Sequence, residues 1–90
     1  MQTRPEELCN RLIVLVKQVA GSAAVFPEPF PADRQLSELG IGSLKMVNLM
    51  LAVELEFDIA IPQSEITPEN FQSVASIQGL VDKMLAMRRA

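Results

Sequence analysis

The sequence predicts an all-α four-helix bundle, with three main helices over about 5–20, 43–57 and 76–88, a short one over about 67–71, and a long ordered first loop. Three observations lead there. Apolar residues recur at helical spacing in the three main segments. Thr3, Ser43, Thr67 and Ser76 stand where helices begin. Pro27, Pro29 and Pro31 exclude regular helix from the first connection. Ninety residues make one domain, spanning 1–90, with room for a small core.

The first helix starts from Thr3 and Glu6, spaced as a capping box, with Pro5 tolerated in the first turn. Leu8, Leu12, Leu15 and Val19 form one buried stripe, Cys9 lies beside it as a buried inert thiol, and Gly21 and Ser22 end the helix. Residues 21–42 are a long connection for so small a domain. Val25, Phe26, Phe30, Leu36 and Leu39 are expected to pin it across the helices. Its length lets the second helix be something other than a simple antiparallel neighbour of the first.

The second helix runs from Ser43 to about Phe57 and gives way to a short extended segment, Asp58-Ile59-Ala60-Ile61, stopped by Pro62. The short helix starts at Thr67 with Pro68 in its first position and spans little beyond Phe71. Ser76 caps the last helix, Ile77, Leu80, Val81, Met84 and Leu85 make its apolar stripe, and Arg88 and Arg89 complement its C-terminal dipole. Gly79 weakens that helix, which points to a close neighbour there.

Placed at about 100° per residue, the second helix separates into two apolar faces. Met46, Leu49, Met50, Val53 and Phe57 should face the core. Leu44, Val47, Leu51 and Leu55 lie nearly opposite, where either the first loop covers them or a partner or cargo does. Leu44, next to Ser43, is the first choice for a partner contact, with Lys45, Asn48 and Glu54 on the flanks.

Composition excludes several functions. The chain has no His and a single Cys, which removes Ser–His and Cys–His pairs and the usual zinc sets, so it is not expected to be an enzyme. No uncharged run approaches the ~20 residues that span a bilayer, and Glu6 and Glu7 stand where a signal peptide would be basic. With one unpaired cysteine, this points to the cytoplasm. Net charge is −3, and residues 46–82 hold Glu54, Glu56, Asp58, Glu65, Glu69 and Asp82 without a Lys or Arg. Such a surface repels nucleic acid, and is either an ordinary solvated face or one that docks a basic partner.

Leu39-Gly40-Ile41-Gly42-Ser43-Leu44 is the most informative stretch. Glycine permits unusual backbone and close approach, and a serine at a helix start stands by unpaired N–H groups that favour a phosphate. Taken alone, Ser43 is a helix cap. In context, Leu39-Gly40-x-x-Ser43-Leu44-Lys45-Met46 resembles the Leu-Gly-Gly-x-Ser-Leu pattern of peptidyl carrier proteins. Glu54-x-Glu56-Phe57-x-Ile59-x-Ile61-Pro62 resembles the segment that ends the second helix of acyl carriers. With the long first loop, the likeness to the acyl and aminoacyl carrier protein family extends over most of the chain.

That resemblance implies an acyl-carrier-like bundle with 4′-phosphopantetheine on Ser43, placed there from coenzyme A by a phosphopantetheinyl transferase using magnesium. Gly42 would leave room for the modifying enzyme. An activating ligase would load an acyl or aminoacyl thioester on the arm, and a downstream acyl-transfer enzyme would receive it. Fatty-acid carriers usually have aspartate where this chain has Gly42, and acids where it has Lys45 and Asn48. These departures imply a stand-alone carrier in a dedicated pathway and tilt the cargo toward an amino acid; a monomer is expected, although the second apolar stripe could support weak self-association. The reading from another class is an unmodified helical interaction module that docks through its second helix.

Overall fold

α1 (Pro5–Ala20), α2 (Ser43–Phe57) and α3 (Val74–Arg89) are the helices of the computed structural model, which describes residues 5–21 and 24–89. The all-α class is as the sequence predicts. Thr3 and Ser22, and the side chains of Arg88 and Arg89, lie outside what is described. α1 is the hub, packing against both α2 and α3. It contributes the fully buried Leu8, Leu12 and Val16, which meet Leu49 and Val53 of α2 and Val74, Ile77 and Val81 of α3 in one core. Burying each such side chain stabilises the fold by about 1.5–3 kcal/mol before chain entropy is counted. Val19 and Cys9 are only half-buried, at the margin of that core.

Arg11 fastens α1 to α2. Its Nη2 lies 2.9 Å from Glu56 Oε2, Nε donates to the same oxygen at 3.0 Å, and the guanidinium stacks 4.5 Å from the centre of the Phe57 ring. The planar fork is what allows both contacts at once.

The first connection is ordered by its backbone more than by its side chains. Leu36 to Leu39 form a 3₁₀ turn, in which Leu36 is buried and its N–H donates to Gln72 C=O at 2.8 Å. Ala75 N–H donates to Ala32 C=O at 2.8 Å, so the loop is clasped to the entrance of α3 at two points. Phe26 and Phe30 pack against each other with centroids 5.3 Å apart and rest on the core, as expected. Val25 does not pin the loop: it is 91% exposed, and its neighbour Phe26 is the residue that packs inward.

The region before α3 departs from expectation. Residues 67–71 make one turn and not a helix: Phe71 N–H donates to Thr67 C=O and Asn70 N–H to Thr67 Oγ1, both at 3.2 Å. Thr67 and Pro68 start the turn as their chemistry dictates, but it ends at once. Phe71 is drawn into the core, Asn70 Nδ2 bonds Glu65 C=O at 2.7 Å, and the Gln72 carbonyl is taken by Leu36. A second 3₁₀ turn, Gln63–Glu65, precedes it.

α3 begins two residues earlier than the sequence predicts, and Ser76 is not its cap. Ser73 Oγ accepts from Ser76 N–H at 3.2 Å while Ser76 Oγ accepts from Ser73 N–H at 2.9 Å. This is a capping box built from two serines, with Ser73 as cap, and it lets Val74 bury fully.

Two predictions follow from these contacts. Gly79 has no close neighbour, contrary to expectation: a Cβ built there meets nothing within 4 Å. Gly79→Ala should therefore stabilise the protein by about 1 kcal/mol, read as a rise of several degrees in the thermal midpoint. Glu65 accepts from Lys83 Nζ at 2.9 Å, and this hydrogen bond, opposed by desolvation and aided by the ammonium's charge and Asn70, holds its carboxyl below the ordinary glutamate value. A lowered folded-state pKa gives stability that is present at neutral pH and lost as pH falls through it. In Lys83→Met the Glu65 titration, followed by NMR, should move up and that part of the acid destabilisation should disappear.

Candidate functional site

The 3₁₀ turn aims the chain at the site. Gly40 ends it with φ +91°, a left-handed conformation that a side chain disfavours, and its N–H donates to Ser37 C=O at 3.3 Å. Ile41 then plunges into the core, its N–H donating to Leu36 C=O at 3.0 Å. With Ile41 anchored, the next two residues emerge at the surface as the start of α2.

Gly42, not Ser43, is the cap residue. It is extended at φ −79°, ψ −176°, and Met46 N–H makes the first intrahelical bond to its carbonyl at 2.8 Å. Ser43 is the first helical residue and is exposed, and among the described residues its hydroxyl has no hydrogen-bond partner. The reading of Ser43 as a structural cap is thereby corrected. Only Gly40 of the two glycines needs its conformation; at Gly42 an added Cβ would stand in open space. A free hydroxyl, the amides that precede the helical ladder and an unobstructed Gly42 fit an anionic group esterified to Ser43.

Beside Ser43 lies an open groove of about 690 Å³, between the first half of α2 and residues 66–72. Met46 and Met50 line it: half-buried, they pack against the core as expected and also present one side to the groove. The opposite wall includes Ile66, Pro68 and Phe71. Gly42, Ser43 and Val47 come together at this groove.

The second apolar face of α2 is bare. Leu44 and Leu55 are 79% and 84% exposed, and Val47 and Leu51 about half, so the first loop does not cover them. Asn48 is exposed as well. Two of the expected contact residues carry internal bonds. Lys45 Nζ donates to Ala20 C=O at 3.0 Å, closing the C-terminal end of α1. Glu54 Oε2 accepts from Ile61 N–H at 2.8 Å, while its carbonyl accepts from Asp58 and Ile59 N–H, and so shapes the exit from α2 through the left-handed Asp58. Sequence reasoning missed the groove's far wall, since its only signal was the Thr67-Pro68 start and the spacing to Phe71. Among the described residues no group of acidic, histidine or cysteine side chains is arranged to hold a metal, and no helix is long and apolar enough to cross a membrane.

Residues 10–83 match the family model described as phosphopantetheine attachment site. The chain is 48% identical over 81 residues to aminoacyl carrier protein 1 of Bradyrhizobium diazoefficiens, covering 90% of this chain and 89% of that one. It is 43% identical over 72 residues to aminoacyl carrier protein 2 of the same organism, covering 80% of each. Among solved structures, it resembles a chain in the crystal structure of Bradyrhizobium japonicum glycine:[carrier protein] ligase complexed with glycylated carrier protein. The TM-score is 0.71 at 40% identity, over 81% of this chain and 96% of that one. A second structure of that ligase, with cognate carrier protein and an analogue of glycyl adenylate, matches with a TM-score of 0.68 at 38% identity, over 89% and 96%. Fold, motif and relatives agree: the chain belongs to the acyl and aminoacyl carrier protein family, a carrier with a phosphopantetheine prosthetic group and not a catalyst.

Proposed function

We propose that Ser43 bears the 4′-phosphopantetheine and that the chain carries an amino acid, received from an aminoacyl-activating ligase and passed to a downstream acyl-transfer enzyme. The observation that carries this reading is the exposed Ser43 hydroxyl, unpartnered among the described residues, at the first position of α2. The amino-acid cargo is supported by the names of the relatives and by the glycylated carrier in the structural neighbour. When bound, the prosthetic group supplies a terminal thiol that holds the cargo as a thioester. The protein's residues do the rest: the start of α2 favours the phosphodiester's negative charge, and Gly42 keeps the approach to Ser43 clear. A transferase using coenzyme A and magnesium would make the attachment. A monomer in a reducing cytoplasm suits the lone Cys9.

Leu44, Val47 and Leu51, with Asn48 between them, are the surface offered to the ligase and to the modifying and accepting enzymes. Lys45 and Glu54 serve that surface indirectly, by holding the two ends of α2. Because the exposed stripe carries no charge of its own, partner recognition should rest on apolar contact.

Two measurements test this. Incubation with coenzyme A, magnesium and a broad-specificity phosphopantetheinyl transferase should add one phosphopantetheine to the intact mass. Ser43→Ala should abolish the gain while changing unfolding free energy by less than about 0.5 kcal/mol, since Ser43 caps nothing. No gain with several transferases would instead favour an unmodified interaction module. Leu51→Asp should weaken ligase binding about tenfold or more, on the order of 1.4 kcal/mol, with the fold retained. The wild-type affinity should change little with salt, which calorimetry at two ionic strengths would read.

A further inference from the structure

Most of the glutamates between residues 46 and 82 are already committed within the molecule. Glu54 holds Ile61 N–H, Glu56 pairs with Arg11 and Glu65 pairs with Lys83. Glu69 differs. It is exposed, has no hydrogen-bond or ion-pair partner among the described residues, and is the sole charged side chain lining the groove beside Ser43. The rest of that lining is neutral, from the thioethers of Met46 and Met50 to Phe71 and the amide of Gln72. A carboxylate at the edge of an apolar trough, next to the attachment serine, is complementary to a ligand with an apolar stem and a cationic end.

We propose that Glu69 is the receptor for the α-ammonium of the aminoacyl cargo, so that the loaded arm folds back along the groove with its charged end on this carboxylate. This rests on Ser43 being the attachment site. It adds a residue that distinguishes an aminoacyl thioester from an acyl one, which lacks the ammonium. The contact is intramolecular, with an effective concentration in the millimolar range for a short flexible tether. An exposed ion pair is weak in water, so the folded-back form is partly populated and exchanges with the extended arm. Partial occupancy leaves the cargo available to an acceptor.

The test compares holo, glycyl-holo and acetyl-holo forms of the full chain, each verified by intact mass, using amide and methionine-methyl NMR. Glycyl and acetyl groups are similar in size and differ in the ammonium. The expected result is that the glycyl form, relative to the acetyl form, shifts the signals of Glu69 and its neighbours in 66–72 together with the methyls of Met46 and Met50. In Glu69→Gln that difference should collapse, and in Glu69→Asp it should be partly kept. Identical wild-type spectra for the glycyl and acetyl forms would overturn the proposal without any variant. So would an unchanged difference in Glu69→Gln, including the case where that variant only weakens ligase binding and the carboxylate serves the partner. Failure to load Ser43 at all is read by mass and overturns the attachment reading itself.

Discussion

Two backbone hydrogen bonds hold the site in place: Leu36 N–H to Gln72 C=O and Ala75 N–H to Ala32 C=O, each 2.8 Å long. They join the long first connection to the entrance of α3, two segments far apart in sequence. Closing so long a loop costs entropy that local contacts cannot recover, and buried Leu36 and Ile41 supply the compensating apolar burial. The result is transmitted over few residues. Leu36 C=O receives Ile41 N–H, Ile41 is locked in the core, and Ser43 follows two positions later. The same clasp holds Gln72 and Phe71 opposite α2, so the serine and the groove beside it are positioned by one constraint.

The charged residues divide between architecture and exposure. Arg11 and Glu56 orient α1 against α2, Lys45 closes the end of α1, Lys83 ties Glu65 to α3, and Glu54 shapes the turn after α2. What remains on the outward face of α2 is apolar and amide. The formal charge of −3 therefore overstates how acidic this particular surface is.

The helices were legible because their signals are local. The Leu8–Leu15 stripe and the Gly42-Ser43 start carry α1 and α2 to within a residue of their ends. The last helix was misplaced by two residues because Ser73 and Ser76 are chemically the same cap, and only the burial of Val74 chooses between them. Thr67 and Pro68 announce a helix start correctly, but a start signal says nothing of length, and Phe71 ends the turn through a tertiary contact. The exposure of Leu44, Val47, Leu51 and Leu55 was one of two open alternatives, and helix periodicity alone does not reveal where a loop travels. The same limit hid the groove. Its far wall belongs to irregular chain, and the core-facing pattern of Met46 and Met50 does not tell that they also border a groove until that wall is placed.

The uncharged outer face of α2 has a kinetic meaning. A carrier must leave each enzyme quickly enough to reach the next, and long-range attraction would speed every encounter, wanted or not. Without that steering, association falls in the ordinary range of about 10⁵–10⁷ M⁻¹s⁻¹, and discrimination is made after contact, by how well the apolar ridge fits. Enzymes that find their carriers by charge would have little to hold here. A face of this kind trades speed of encounter for selectivity made at the point of contact.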